Sequence, residues 1–343
     1  MKELLKQINT WAAQKKPMVL ARVIQTWGSS PRPVGSSMLI SGDMEMAGSV
    51  SGGCVEGAVL KEAKSIIGST RGKRLFYGVS DEDAWAVGLS CGGKIHVYLQ
   101  PWFSLADSRQ EEVAGKLHQF LAENKSCVLV TALSDDDNKN TLVTPDGNKY
   151  GAELPNEILL KSIEAFEKRA HENLTVGDVQ YFIHVFPRRS QMIIIGAAHI
   201  TADLVQLAHQ FDFETIVIDP RGIFAKNTTF SVRPDQIFEK YPSEVLNDFE
   251  LDSYTYSVIL SHDPKIDDDA LQILLRKKVG YIGALGSKKN HEKRSNRLLE
   301  KGFTADDIAR IDAPIGLDIN AQGAKEIALS ILGAVIKAKN AYL

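Results

Sequence analysis

The chain has 343 residues, 44% hydrophobic and 24% charged, with a formal net charge of −3. That is the composition of an ordinary soluble globular protein with length for two domains. It excludes a basic nucleic-acid surface and a polybasic membrane anchor, so an anion site must be built locally.

The opening MKELLKQINTWAAQKK reads as a short amphipathic helix without the apolar core or cleavage site of a secretory signal, and no apolar run reaches the length of a membrane span. Residues 19–26 read as a strand, broken by GSSPRPVG (28–35). That stretch forms an arch presenting Arg32, whose guanidinium suits planar or phosphate groups. Strands at 38–40 and 45–50 flank a turn at Gly42-Asp43. In SGGCVEG (51–57) the pair Gly52-Gly53 directly precedes Cys54, and the spacing of Val55, Val59, Ala63 and Ile66 predicts a helix over 55–67. Paired glycines at a strand-to-helix junction permit positive φ and close approach of a ligand to main-chain donors. Cys54 at the helix head would be favoured as thiolate. Glu56 suits the helix dipole and offers a base. Strands at 74–79 and 94–100 enclose a near mirror image, VGLSCGG (87–93), where Cys91, Gly92 and Gly93 make a second backbone-rich loop. The alternative for each cysteine is a small buried hydrophobe, which is the assignment of Cys127. Three cysteines without a CxxC pair point to a reducing, cytoplasmic setting with no disulfide framework or structural zinc.

Further along, a helix at 109–122, a strand at 127–131, a solvated loop at 135–138, a helix at 155–169 and a strand at 178–186 complete the first domain. The boundary falls at PRRS (187–190), giving domains 1–187 and 188–343. Strands at 192–195, 215–218, 258–260 and 281–282 then alternate with helices at 199–211, 270–278, 290–301 and 325–337. Such alternation implies a parallel sheet covered on both faces. The fold class is α/β: an N-terminal α+β domain followed by a C-terminal Rossmann-like parallel-sheet domain.

In that second domain, IIIGAAHIT (193–201) occupies the place of the dinucleotide fingerprint but keeps only Gly196; Ala198 puts a methyl where pyrophosphate approaches. Asp219, at the end of the next strand, is placed to read ribose hydroxyls. Gly196 and Asp219 support an NAD(P)-binding oxidoreductase as the alternative function, set against a scaffold without nicotinamide chemistry. Polar residues collect after the strands, as Asp219-Pro220-Arg221, Ser261-His262-Asp263-Pro264, ALGSKK (284–289) and PIGLD (314–318). In a parallel sheet these loops share the carboxyl edge, where ligands bind. Gly286-Ser287 before a helix, with Lys288, Lys289 and Arg294, offers amides and charge to a phosphate; the opposing reading is a helix cap and a solvated lysine face. His262 and Asp263, with His199 or Asp267, raise a metal site, against an orienting hydrogen-bond role for a strand-end histidine.

Through GSSPRPVG, SGGCVEG and VGLSCGG in one half and IIIGAAHIT, VIDPR, SHDPKID, YIGALGSKK and APIGLDI in the other, the chain resembles the XdhC/CoxI family of maturation factors for molybdenum hydroxylases. The resemblance implies a protein that binds the molybdenum cofactor, as molybdopterin or its cytosine dinucleotide. It guards the sulfurated form and passes it to a xanthine or carbon monoxide dehydrogenase-type apoenzyme, with a cysteine desulfurase as a further partner. The residues expected to hold the cofactor are Arg32, Gly52, Gly53, Cys54, Glu56, Cys91, Gly92, Gly93, Gly196, His199, Asp219, Arg221, His262, Asp263, Gly286, Ser287 and Lys288, with a thiolate at Cys54 or Cys91 on molybdenum, in a cleft between the domains. Family members often show G-A-G-H where this chain has Gly196-Ala197-Ala198-His199. Iron–sulfur cysteine spacing and the length of a flavin domain are both missing, which argues against catalysis as a xanthine dehydrogenase. A homodimer is expected to cover the apolar-faced helix at 325–337. A purely structural adaptor, with partner contacts on its helices, is the remaining reading.

Overall fold

The computed structural model describes residues 1–28, 30, 32–53, 55–78, 93–103, 108–134, 139–222 and 230–341. The chain divides into two compact units, Met1–Arg188 and Arg189–Leu343.

The first unit holds two five-stranded antiparallel sheets. One has the order β3-β2-β1-β5-β4, from β1 (Met18–Trp27), β2 (Ser37–Ser41), β3 (Met46–Gly48), β4 (Lys73–Tyr77) and β5 (Lys94–Phe103). The other has the order β8-β7-β6-β10-β9, from β6 (Cys127–Ala132), β7 (Lys139–Val143), β8 (Lys149–Gly151), β9 (Glu172–Val176) and β10 (Val179–Phe186). Side chains alternate across a strand, and β1 is buried on both faces. Val19, Ala21 and Val23 pack on α2 (Glu56–Ala63) through Val59 and Ala63. Met18 and Leu20 turn the other way, to a core shared with α1 (Leu5–Ala13), α3 (Ser108–Ala122) and Leu129 and Leu142 of the second sheet. The far face of the second sheet is covered by α4 (Asn156–Lys168) through Ile158 and Ala165.

Between the sheets lies Arg22, fully buried. Its Nη2 donates to Gln100 Oε1 at 3.0 Å and Thr131 Oγ1 at 2.6 Å, and the guanidinium stands 5.6 Å from the Phe182 ring centroid. Burial pushes its pKa down to about 10. The strand pattern of β1 gives no sign of this polar layer, because the periodicity marks which face a residue takes and not what it meets there.

The second unit is one parallel sheet of order β13-β12-β11-β14-β15-β16, built from β11 (Gln191–Ile195), β12 (Glu214–Ile218), β13 (Gln236–Phe238), β14 (Thr255–Ile259), β15 (Tyr281–Ala284) and β16 (Ile311–Asp312). Read from the first of these strands, this is the Rossmann order. Ile193 and Ile195 face α6 (Pro264–Leu274) and α7 (Lys288–Glu300), while Met192 and Ile194 face α5 (His199–Gln210) and α9 (Ala324–Asn340). A short helix, α8 (Ala305–Ala309), precedes β16.

Two expectations change. The apolar side of α9, with Ile331, Leu332 and Val335, is covered inside its own unit by α5 and the sheet, which removes the stated reason for a homodimer. Helix α6 begins at Pro264 rather than at residue 270, because Asp263 caps it and Pro264 supplies a preset φ in the first turn.

Candidate functional site

In the first unit the chain leaving β3 wraps around the first residue of α2. Glu56 Oε1 accepts from Ser49 Oγ at 2.7 Å and from the amides of Val50, Ser51 and Gly52 at 3.1, 2.8 and 3.1 Å. Its Oε2 accepts from the Gly53 amide at 2.9 Å and from the Ser51 hydroxyl, which in turn accepts from the Val55 amide. Burial works to raise the Glu56 pKa, but the hydroxyls of Ser51 and Ser49 and the Ser51 amide outweigh it and bring it down to about 2. Gly52 and Gly53 take φ of +81° and +121°, a region that L side chains disfavour. Among the described residues other than its chain neighbours, nothing lies within 4 Å of the position a Gly53 side chain would take.

This corrects two expectations. Glu56 is no base, because a saturated carboxylate this acidic does not take up a proton near neutral pH. The amides of Gly52 and Gly53 are not ligand donors either, since both point inward at Glu56. What the turn offers is a hydrogen-bonded stretch of bare main chain, uncovered at Gly53 by any described residue beyond its chain neighbours, directly before Cys54 in sequence. Cys54, Cys91 and Gly92 lie outside the described residues. Gly93 is buried at the entrance to β5, Arg32 is exposed, and Cys127 is a buried core residue.

In the second unit the five expected loops meet at the carboxyl edge of the sheet. Gly196 has φ of +105°, and a Cβ there would stand 2.7 Å from Ser261 Cα, so only glycine permits this crossing of loops. The Ala197 amide donates to Asp219 Oδ2 at 2.8 Å and the Ala198 amide to Thr201 Oγ1 at 3.3 Å. Asp219 is fully buried and also accepts from Arg221: its amide and Nε at Oδ1, both 2.9 Å, and its Nη2 at Oδ2, 2.8 Å. Burial opposes ionisation, but these bonds with Arg221 and Ala197 hold Asp219 below the usual carboxylate range. Asp219 is thus committed to Arg221 and to the Ala197 amide, in the turn that precedes α5.

From Arg221 the network continues. Its Nη1 donates to the Ser261 carbonyl at 3.1 Å, Ser261 Oγ to Asp267 Oδ1 at 2.5 Å, and Arg294 Nη2 to Asp267 Oδ2 at 3.2 Å and the Leu285 carbonyl at 3.0 Å. The Ile315 amide ties the last loop to Ala284 O at 3.2 Å. Asp263 and Ser287 serve as caps, accepting from the amides of Lys265 and Asn290 at 2.9 and 3.3 Å. His199, His262 and Lys288 are exposed. With Asp263 and Asp267 so engaged, the metal reading loses its carboxylates; among the described residues no three His, Cys, Asp or Glu side chains converge. Sequence reasoning named Arg294 only as a neighbour and missed His291, one turn before it on α7.

Residues 192–335 match the family of the XdhC Rossmann domain, and residues 11–78 match the XdhC and CoxI family. Over 94% of its length the chain is 26% identical to a protein of Bacillus subtilis (strain 168) named as a probable xanthine dehydrogenase component, covering 93% of that protein. Over 93% of its length it is 25% identical to the molybdenum cofactor insertion chaperone PaoD of Escherichia coli (strain K12), covering 83% of it. A solved structure of a xanthine dehydrogenase from Bacillus halodurans is 28% identical and superposes with a TM-score of 0.74, over 98% of this chain and 96% of the other.

Proposed function

Because the chain belongs to the XdhC and CoxI family, we propose that it is a maturation factor for a molybdenum hydroxylase of the xanthine dehydrogenase type. It binds the molybdenum cofactor as cargo and delivers it to the apoenzyme. The relative named as a molybdenum cofactor insertion chaperone aligns with nearly the whole chain, which supports carriage over catalysis. The observation that carries the reading is the Glu56-centred turn. A flat, phosphate-bearing dithiolene needs bare main chain beside a soft donor, and Gly53, which no described residue beyond its chain neighbours covers, directly precedes Cys54 in sequence. Glu56 and Asp219 are both committed to the protein's own groups, which suits binding without proton transfer. A cysteine desulfurase belongs to the same proposal, as the source of sulfur for the sulfurated cofactor.

The test is to express the protein with cofactor synthesis intact and measure molybdenum and pterin per chain. Cys54→Ala and Cys91→Ala are expected to lower both, and Cys127→Ala, in the core, to leave them unchanged. Protein purified without metal or pterin, or indifferent to both site substitutions, refutes the proposal. The NAD(P) alternative is left without its acidic reader, since Asp219 is buried against Arg221. Calorimetric titration with NAD(H) and NADP(H) is expected to show no binding tighter than millimolar.

A further inference from the structure

Helices α5, α6 and α7 all begin at the carboxyl edge of the parallel sheet, and their first turns differ in charge. The turn before α5 holds a carboxylate, Asp219, bonded to the Ala197 amide. The head of α6 holds another, Asp263, bonded to the Lys265 amide. At α7 the cap is only the hydroxyl of Ser287, and the group beneath it is a cation, Arg294.

Arg294 is 4% exposed, and its Nη2 is occupied by Asp267 and the Leu285 carbonyl. Its Nε and Nη1 have no acceptor among the described residues, and neither does His291 Nδ1, also buried. A buried donor without an acceptor is costly, so the two guanidinium atoms mark an unmet demand for an oxygen ligand, and His291 Nδ1 lies unpartnered one turn away. Burial pushes the Asp267 pKa up, against the pull of Ser261 and Arg294. Gly286 takes φ of +134°, and a Cβ there would lie 3.4 Å from Asn290 Cβ and 4.0 Å from Arg294 Nη2. The amides of Lys288 and Lys289 open α7 with no acceptor among the described residues, as the first amides of a helix do unless something supplies one.

We propose that the turn at 285–287 and the head of α7 form a phosphoryl-binding subsite, with Arg294, His291 and the amides of Lys288 and Lys289 as donors to a phosphate monoester or diphosphate. Phosphate suits the place better than a carboxylate, because it presents oxygens in several directions to donors converging from side chain and main chain. The subsite lies at the turn after β15, whereas at the first turn Asp219 takes the Ala197 amide. The subsite does not depend on the cofactor reading.

The experiment is calorimetric titration of the full chain, freed of any pterin, with inorganic phosphate, pyrophosphate and CMP. At least one is expected to bind saturably, and Arg294→Gln to weaken it about tenfold or more. Should that variant not fold, Asp267→Asn/Arg294→Gln keeps a neutral pair in place, and His291→Ala gives a separate reading with a severalfold loss. Ala198→Gly, at the other turn, is expected to change nothing. If none of the probes binds, or if binding ignores both the Arg294 and His291 substitutions, the subsite is refuted. Loss of molybdenum in Cys54→Ala with pyrophosphate binding intact separates the subsite from the carrier proposal. Retained molybdenum with no phosphoryl binding overturns only the subsite.

Discussion

The glycine turn of the N-terminal unit and the glycine turn of the C-terminal unit share one device and differ in how its charge is balanced. In each, a carboxylate sits behind the turn and accepts the turn's own amides: Glu56 from residues 50–53, Asp219 from Ala197. Asp219 is clasped by the Arg221 guanidinium. Glu56 is held by hydroxyl and amide dipoles alone, with no cation in an ion pair to it among the described residues. A glycine-rich turn therefore marks a main chain folded back on its own acid as readily as one waiting for a ligand. The useful question is whether its donors are already taken. By that measure the turn amides claimed by Glu56 and Asp219 are taken, and the turn over Arg294 keeps donors with no acceptor among the described residues.

The contrast predicts unequal costs when each acid is neutralised. Glu56→Gln keeps the shape but turns an amide group toward donors that need an acceptor, so roughly 3 kcal/mol of stability should be lost. Asp219→Asn should cost less, roughly 1–2 kcal/mol, because Arg221, with 35% of its side chain exposed, can turn to water and the Asn oxygen still accepts from Ala197. Chemical denaturation of the full chain, followed by a probe in each unit, measures both. Equal losses, or a larger one at Asp219, would break the comparison.

The four central strands of the second unit are legible in the sequence because they are short apolar runs between helices that keep their spacing, whereas the edge strands β13 and β16, three and two residues long and only partly buried, are not. Nor is the middle of the first unit. β7 and β8 have five and three residues and join through Asp146-Gly147, a turn pairing whose weight is easy to miss beside the neighbouring polar loop. At the sites, sequence placed the polar loops on one rim, as found. It could not tell which acids face outward. Asp219 has the spacing of a ribose reader and Glu56 that of a first-turn helix acid, yet each is claimed by an amide that comes near only on folding. Arg294 and His291 carry no motif; their meaning comes from what they lack.

Acid sharpens the same comparison with a smaller effect. The Glu56 pKa is lowered in the folded chain to about 2, from an ordinary 4.5. Its contribution is therefore complete above the unfolded value and fades as pH falls from about 4.5 toward about 2. The stability gap between the wild-type chain and Glu56→Gln should be widest near neutrality and narrow steadily through that window. Paired urea melts at descending pH read the gap directly. A gap that stays constant to the acid end would mean that the carboxylate's charge contributes nothing, and that the turn is held by shape.

The smallest expected effect concerns the residue that looks most like a defect. Ala198→Gly restores the second glycine of the dinucleotide fingerprint. If the methyl group were what excludes a pyrophosphate, removing it should bring NAD(H) binding into a measurable range. The hydrogen bonds say otherwise: the Ala197 amide is bound to Asp219 at 2.8 Å and the Ala198 amide to Thr201 at 3.3 Å, and a carboxylate sits in the turn before α5. The substitution frees space but no donor, and it leaves the negative charge in place. Calorimetry of Ala198→Gly with NAD(H) should match the wild-type titration. Binding that tightens by about tenfold, on the order of 1.4 kcal/mol, would show that bulk rather than occupied donors closes the first turn.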